Sequence, residues 1–397
     1  MHLRGFLILA VVVACQACSS STELPVPARL VLAPSVVTLR QGDTLQVEAT
    51  VQDSDGRAIA HAPVTFLSSD TGIVRVSETG LLTAVYGGPA TIIAVSGVLR
   101  DTATVTVLGH PAGVTTALAS DGVPHRVAIS GTGVTYVTLL GGSAARIDLP
   151  SLQFSGTVPL GPVPTDVTFS ADGAIAYVSG QWARAVYVID VAANIVIDSI
   201  PMLGDPVPVR ITPDRQKLYV ATNVDSLFVI ALPSKTVLKT FALPATSHWM
   251  AWHPNRRLLY VATRDGGTVM EIDTENDTVL RTFTLGGRTQ GMAVASDGAE
   301  LYVADELGGL EIWNLQTASR VTEVALSGGG FGVALSPDDA YVYVTVPATG
   351  QVHIVDRATR TVVQTVQTGG VPRGVAFDRY GRVAIVANEA GWVTFIR

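Results

Sequence analysis

The stretch KLYVATNVDSLFVI, Lys217 to Ile230, is a short apolar run, a small polar turn and a second apolar run. The same phrase returns as LLYVATRDGGTVMEI from Leu258 and as ELYVADELGGLEI from Glu300. Its hydrophobic pair extends the series in both directions: Tyr136-Val137, Tyr177-Val178, Tyr219-Val220, Tyr260-Val261, Tyr302-Val303, Tyr343-Val344 and Ile385-Val386. Successive spacings alternate between 41 and 42 residues, a regularity that marks a repeat architecture. Each copy reads as four strands. In the second copy these are PTDVTFS, AIAYVSG, AVYVIDV and IVIDSIPM, with Ala171-Asp172-Gly173 turning the first hairpin. Asp297-Gly298, Asp338-Asp339 and Tyr380-Gly381 occupy the same slot, and such residues tolerate the positive φ of tight hairpins.

A single four-stranded sheet of this size cannot bury both faces, but seven packed radially can. The repeat therefore predicts a seven-bladed β-propeller over residues 112–397. The last copy stops at GWVTFIR, after its third strand, while GVTTALASDG (Gly113 to Gly122) has the pattern of a fourth strand lacking the other three. It matches RTVVQTVQTGG, Arg360 to Gly370, in length and turn ending. Residues 114–119 are expected to complete the seventh sheet and close the ring, because an open ring leaves unpaired edges. The phrases LYVATN, LYVATR, VYVTVP and IVANEAG, with VIDVAANIVIDSI and EIDTENDTVLRTF, resemble the YVTN-type β-propeller repeats of bacterial surface and periplasmic proteins.

Ahead of the repeats, residues 29–109 alternate in short strands with turn signals at Gln41-Gly42-Asp43 and Asp53–Gly56. Six to eight strands in such a length predict an Ig-like β-sandwich, so the fold class is all-β throughout. LRQGDT, VTFLSSD, IVRVSETGLLTAV, GGPATIIAVSG and DTATVTV resemble the group 2 bacterial Ig-like domains, with Phe66 where that family usually has tryptophan. The resemblance implies an extracytoplasmic spacer or adhesion module and carries over no catalytic residue.

The chain begins MHLR and continues GFLILAVVVA, an apolar run too short to span a bilayer stably. Residues 1–14 read as a lipoprotein signal peptide. VVAC resembles the bacterial lipobox, which implies lipidation of Cys15; Cys18 is the alternative, and plain secretion after cleavage near Ala17 is a third reading. Residues 15–28, with SSSTELPVPA, suit a flexible tether. The expected address is outside the cytoplasm, anchored to a membrane and facing the periplasm or the cell exterior. Both cysteines fall in this leader, so the folded body has no disulfide, thiolate nucleophile or cysteine-held metal. A net charge of −7 and 15% charged residues argue against nucleic acid as a partner.

Signatures of the common hydrolases, metalloproteases, P-loop and dinucleotide enzymes are missing. DSDG at Asp53–Gly56 has the look of a calcium loop, but Val64 stands where the glutamate belongs, and a solvated turn is expected. The aspartates ending the third strands (Asp148, Asp190, Asp273, Asp356) are expected to cap hairpin turns. The residues leading each innermost strand should gather at the channel mouth: His125, Thr165, Val207, His248, Gln290, Phe331 and Arg373, with Arg126, Asp166 and Trp249 beside them. Loops on the same face add Trp182, Arg184, Asn223, Asp225, Arg264, Asp265, Asp305, Glu306, Asn388, Glu389 and Trp392. Aromatics, histidines and mixed charges on one rim predict a binding face for a protein or polysaccharide, with no cofactor and no metal. The expected function is a non-enzymatic cell-envelope lipoprotein acting in binding, adhesion or scaffolding. The alternative is an enzyme, either an oxidoreductase-like propeller or a lactonase-type hydrolase using His125, Glu389 and Arg373.

Overall fold

The computed structural model describes residues 25–111, 113 and 115–397. The expected signal segment, Cys15, Cys18 and the expected tether through residue 24 lie outside the described residues. Every regular element among them is a β-strand.

The N-terminal sandwich has nine strands between Arg29 and Leu108, more than the sequence pattern suggests. One of the reasons is at Val47. The run TLQVEATV divides there, with Thr44–Gln46 pairing with residues 81–83 and Glu48–Gln52 pairing with Arg29–Ala33 in another sheet. Val47 is fully buried at this crossing. Alternation gives the core its side chains: Gly88–Ser96 buries every second residue, and Ile92 joins Leu32, Val51, Val74, Leu82 and Val105. Phe66 packs against this cluster from its edge. Asp53 accepts the backbone N–H groups of Asp55 and Arg57, so DSDG is an exposed Asx turn.

Beyond the sandwich the chain forms seven four-stranded antiparallel sheets. Six are continuous in sequence, from residues 124–159 through 333–367. The other takes Pro372–Phe377, Ala384–Asn388 and Trp392–Ile396, and adds Thr115–Ala119 as its outer strand, Thr115 opposite Ile396 and Ala119 opposite Trp392. Each second strand is buried on both sides. Tyr136, Tyr219, Tyr260, Tyr302 and Tyr343 are the largest fully buried side chains among the described residues, each at 1% exposure or less. The apolar clusters span neighbouring sheets: Tyr136 and Val158 of the first pack with Val167, Val178 and Ile189 of the second. The first sheet also packs on the last, through Val137 and Ile147 against Ile385, Val393 and Phe395.

The tyrosine hydroxyls extend this sheet-to-sheet packing. Tyr136 donates to Asn194 Oδ1 at 2.6 Å, and Tyr219 donates to Asp277. Both acceptors sit in the outer hairpin turn of the following sheet. That turn holds a non-glycine residue at positive φ six times: Leu152, Asn194, Lys235, Asp277, Ala318 and Arg360. The last sheet lacks the turn because its outer strand comes from the other end of the chain. Tyr343, which would face it, donates instead to the Pro111 carbonyl in the linker. The aspartates ending the third strands cap these turns, as when Asp190 accepts Ala193 N–H and Asp356 accepts Thr359 N–H.

The sandwich rests on the last two sheets. Gly109 N–H donates to the Tyr380 carbonyl at 2.8 Å, Tyr86 donates to the Arg382 carbonyl, and His110 Nδ1 lies 2.6 Å from Asp338 Oδ2. Removing residues 1–122 takes away the outer strand of the last sheet, while removing residues 1–109 leaves it. At roughly 1 kcal/mol per net hydrogen bond, the larger deletion should cost about 5 kcal/mol more than the smaller one in denaturant unfolding. Equal stability of the two would show that Thr115–Ala119 contributes nothing.

Candidate functional site

Six of the seven innermost strands carry a bulge or register break near their start, between Pro124 and Val127, Pro164 and Asp166, Pro206 and Val209, Ser247 and Trp249, Thr289 and Met292, and Pro372 and Val375, while Val333–Leu335 pairs without one. A bulge turns the residue inside it off the pleat. The residues so placed are His125, Thr165, Val207, His248, Gln290 and Arg373, with Phe331 in the matching position. All seven line one cavity of about 300 Å³, joined by Leu140, Val163, Gln181, Arg264 and Glu306.

The next position along each strand runs from long side chains to none: Arg126, Asp166, Pro208, Trp249, Gly291, Gly332 and Gly374. The glycines allow close approach of neighbouring innermost strands. A Cβ on Gly374 would lie 2.9 Å from Arg126 Cα and 3.0 Å from Val127 N. Arg126, from the first sheet, reaches the fourth: its guanidinium stacks 3.7 Å from the Trp249 ring centre and Nη2 donates to the His248 carbonyl at 3.1 Å. Phe331 flanks it at 5.6 Å. Arg126 thus bars the axis, with the cavity above and a second, larger void of about 520 Å³ below.

Three guanidinium groups line the upper cavity. Arg264 is matched by Glu306 at 2.6 Å, and Arg373 by Glu389 at 2.8 Å. Arg126 forms no ion pair among the described residues. The acid beside it, Asp166, is bonded at 2.6 Å to Arg210. Arg126 is only 4% exposed, and its buried Nε has no hydrogen-bond partner among the described residues. Burial, with Arg210 and Arg373 adding repulsion, lowers its pKa to about 10, so it stays charged at neutral pH. A cation–π contact returns about 2 kcal/mol when desolvated. Withdrawing the charge from water costs several. The guanidinium is left under-compensated.

Above it, Glu389 bridges two groups, with Oε1 2.8 Å from His125 Nδ1 and Oε2 accepting from Arg373 Nε. Burial pushes Glu389 up, but these two bonds outweigh it and hold the carboxyl below its usual range. Burial lowers His125, and lowers His248 to about 4 with Arg126 and Arg264 contributing. Both imidazoles are neutral at pH 7. Gln290 is 1% exposed and its Oε1 is buried without a partner among the described residues.

Of the sequence-predicted rim, His125, Arg126, His248, Trp249, Arg264, Gln290, Glu306, Arg373 and Glu389 come together here. Asp166 lies beneath, in the lower void. Trp182 stands 69% exposed on the outer rim. Arg184 pairs with Asp205, and Asp265 bridges Arg264 and Arg288 in solvent. Asp305 accepts the N–H groups of Arg288 and Leu307 and so shapes its loop. Trp392 lies outside the cavity lining, its indole N–H buried without a partner among the described residues. Arg210, Leu140, Val163 and Gln181 were not expected. The register of PVPVRI could have placed Arg210 two residues below Pro208, facing the axis.

A model of the bacterial Ig-like domain (group 2) matches residues 30–107, and a model of the cytochrome D1 heme domain matches residues 256–396. The chain carries an Ig-like domain and a β-propeller. No curated protein matches it. A solved structure of Kuenenia stuttgartiensis hydrazine synthase is similar, with TM-score 0.64 and 19% identity over 70% of this chain and 97% of that one. That likeness is one of fold.

The heme named by the second family does not fit the residues present. The matched segment brings Arg264, Gln290, Glu306, Phe331 and Arg373 to the cavity, none of them a usual iron ligand. Its single histidine, His353, lies outside the lining and bonds Ser327. A macrocycle set over His125 or His248 would meet the Arg126–Trp249 stack in a cavity at the small end of ligand sites. Among the described residues no three acidic, histidine or cysteine side chains cluster to hold a metal.

The histidines set a pH dependence. His248 has a folded pKa near 4, below the ordinary 6.5, so its contribution is intact above 6.5 and falls as the unfolded chain takes up protons between 6.5 and 4. The wild type should lose about 2 kcal/mol more than His248→Asn between pH 7 and pH 5 in denaturant titrations. Parallel losses would show that His248 is not depressed.

Proposed function

We propose that the seven sheets are blades of one closed ring latched by Thr115–Ala119, and that the chain is a cell-envelope lipoprotein presenting this ring as a non-enzymatic ligand-binding module. The lipid anchor at Cys15 or Cys18 and the Ig-like spacer would hold the propeller away from the membrane. The observation that carries the binding reading is the convergence of seven axial residues on one cavity, with Arg126 closing its floor. A site of this volume takes a small molecule or the end of a larger one.

The second reading is an oxidoreductase-like propeller. Its support is the family match over residues 256–396. It needs a redox group, and the cavity supplies no donor set for heme. The lactonase-type variant has His125, Glu389 and Arg373 in one bonded chain, but both Glu389 oxygens are already engaged. Only the His125 Nε2 is left as a base.

A small-molecule panel read by thermal shift tests the binding reading. Val207→Phe fills the cavity without touching its polar groups, so compounds that raise the wild-type melting temperature should fail on this variant. Stabilisation that persists unchanged in Val207→Phe would place binding elsewhere. A Soret band in the protein as purified, or after hemin addition and desalting, would favour the oxidoreductase reading instead.

A further inference from the structure

Resting on the binding reading above, the unmet polar groups of the cavity specify what it binds. We propose that the axial cavity receives a small monocarboxylate with an apolar body, its carboxylate paired with Arg126 and a hydroxyl on the body donating to Gln290.

The inference rests on what each group still lacks. Arg126 is the one guanidinium lining the cavity that has no carboxylate among the described residues, because Glu306 and Glu389 are held by Arg264 and Arg373, and Asp166 by Arg210. Its Nε is sealed from solvent and donates to nothing described. A neutral ligand would leave that charge as it is, and a second cation would be repelled by it. An anion fits. A single charge suffices, since one cation is in surplus.

The body of the ligand follows from the walls. Leu140, Val163, Val207 and Phe331 present aliphatic and aromatic surface, and the Arg373 guanidinium stacks 4.4 Å from the Phe331 ring centre. His125 meets the same ring edge-on and is neutral, as is His248. The other lining cations, Arg264 and Arg373, are already paired with Glu306 and Glu389, so the walls offer no second surplus charge to a dicarboxylate. The remaining unmet atom is Gln290 Oε1, an acceptor that calls for a hydroxyl or N–H on the ligand. Carboxylate, apolar frame and one donor describe a hydroxylated aromatic or branched aliphatic acid.

Isothermal titration calorimetry of the full mature chain with acetate, isovalerate, benzoate, and 3- and 4-hydroxybenzoate tests this, with benzamide as the neutral counterpart of benzoate. Affinity should rise from acetate through isovalerate to benzoate, and benzamide should bind at least tenfold more weakly than benzoate. One of the two hydroxybenzoates should bind more tightly than benzoate in the wild type and lose that advantage in Gln290→Leu. Arg126→Met keeps the apolar stack on Trp249 and should bring benzoate down to the level of benzamide. The wild-type comparison stands even where that variant fails to fold.

Equal binding of benzoate and benzamide would overturn the anion inference while leaving a ligand cavity in place. So would failure of all the carboxylates to bind a protein in which the thermal-shift panel finds other compounds blocked by Val207→Phe. Benzoate binding that survives both Arg126→Met and Val207→Phe would overturn this inference and the cavity reading together.

Discussion

The structure depends on burying the second strand of every sheet on both faces at once. A sheet with Tyr219, Val220 and Ala221 in its interior has apolar side chains above and below, and only a neighbour on each side can cover them. The same demand recurs every 41 or 42 residues, so each sheet satisfies the next. The tyrosine hydroxyl makes the arrangement directional. A buried phenol needs a partner, and Tyr136 and Tyr219 find theirs in the outer turn of the following sheet. Where the chain ends interrupt that turn, the linker carbonyl of Pro111 stands in for Tyr343. The hinge between the domains is therefore part of the propeller's own packing.

Regular packing outside leaves the axis free to vary. The cores between sheets repeat Val, Ile, Leu and Tyr, whereas the matching positions on the innermost strands run from Arg126 through Trp249 to three glycines. Those glycines draw the innermost strands of the fifth, sixth, seventh and first sheets together, and the long side chains come from the first and fourth. The result is a cavity lined from all seven sheets, with one unmatched charge, Arg126, at its floor. Packing and cavity lining are thus carried by different layers: the second strands hold the sheets together, and the starts of the first strands line the cavity.

Much of this was legible in the chain. The Tyr-Val spacing located every sheet, the truncated last copy pointed to Thr115–Ala119 as a donated strand, and stacking the copies brought His125, His248, Gln290 and Arg373 to one mouth. The reason is that a 41–42 residue repeat makes equivalent positions comparable without any structure. What was not legible depends on distances between sheets remote in sequence. Sequence register cannot say that Arg126 reaches Trp249 three sheets away, or that Glu306 and Glu389 are consumed by Arg264 and Arg373. Residues such as Trp182 and Asp305 shared the right loops but face solvent or their own backbone. In the sandwich, the switch of the chain between sheets at Val47 was hidden because the alternation of TLQVEATV continues unbroken through it.

The most direct test of the account is hydrogen exchange at the two strands that meet in the last sheet, Thr115–Ala119 and Trp392–Ile396. If a donated strand completes a ring of mutually covering sheets, amides in both segments should be protected to the same degree and open together with the second strands of the other sheets. Rapid exchange over Thr115–Ala119, with Trp392–Ile396 exchanging as a free edge while the remaining sheets stay protected, would contradict it.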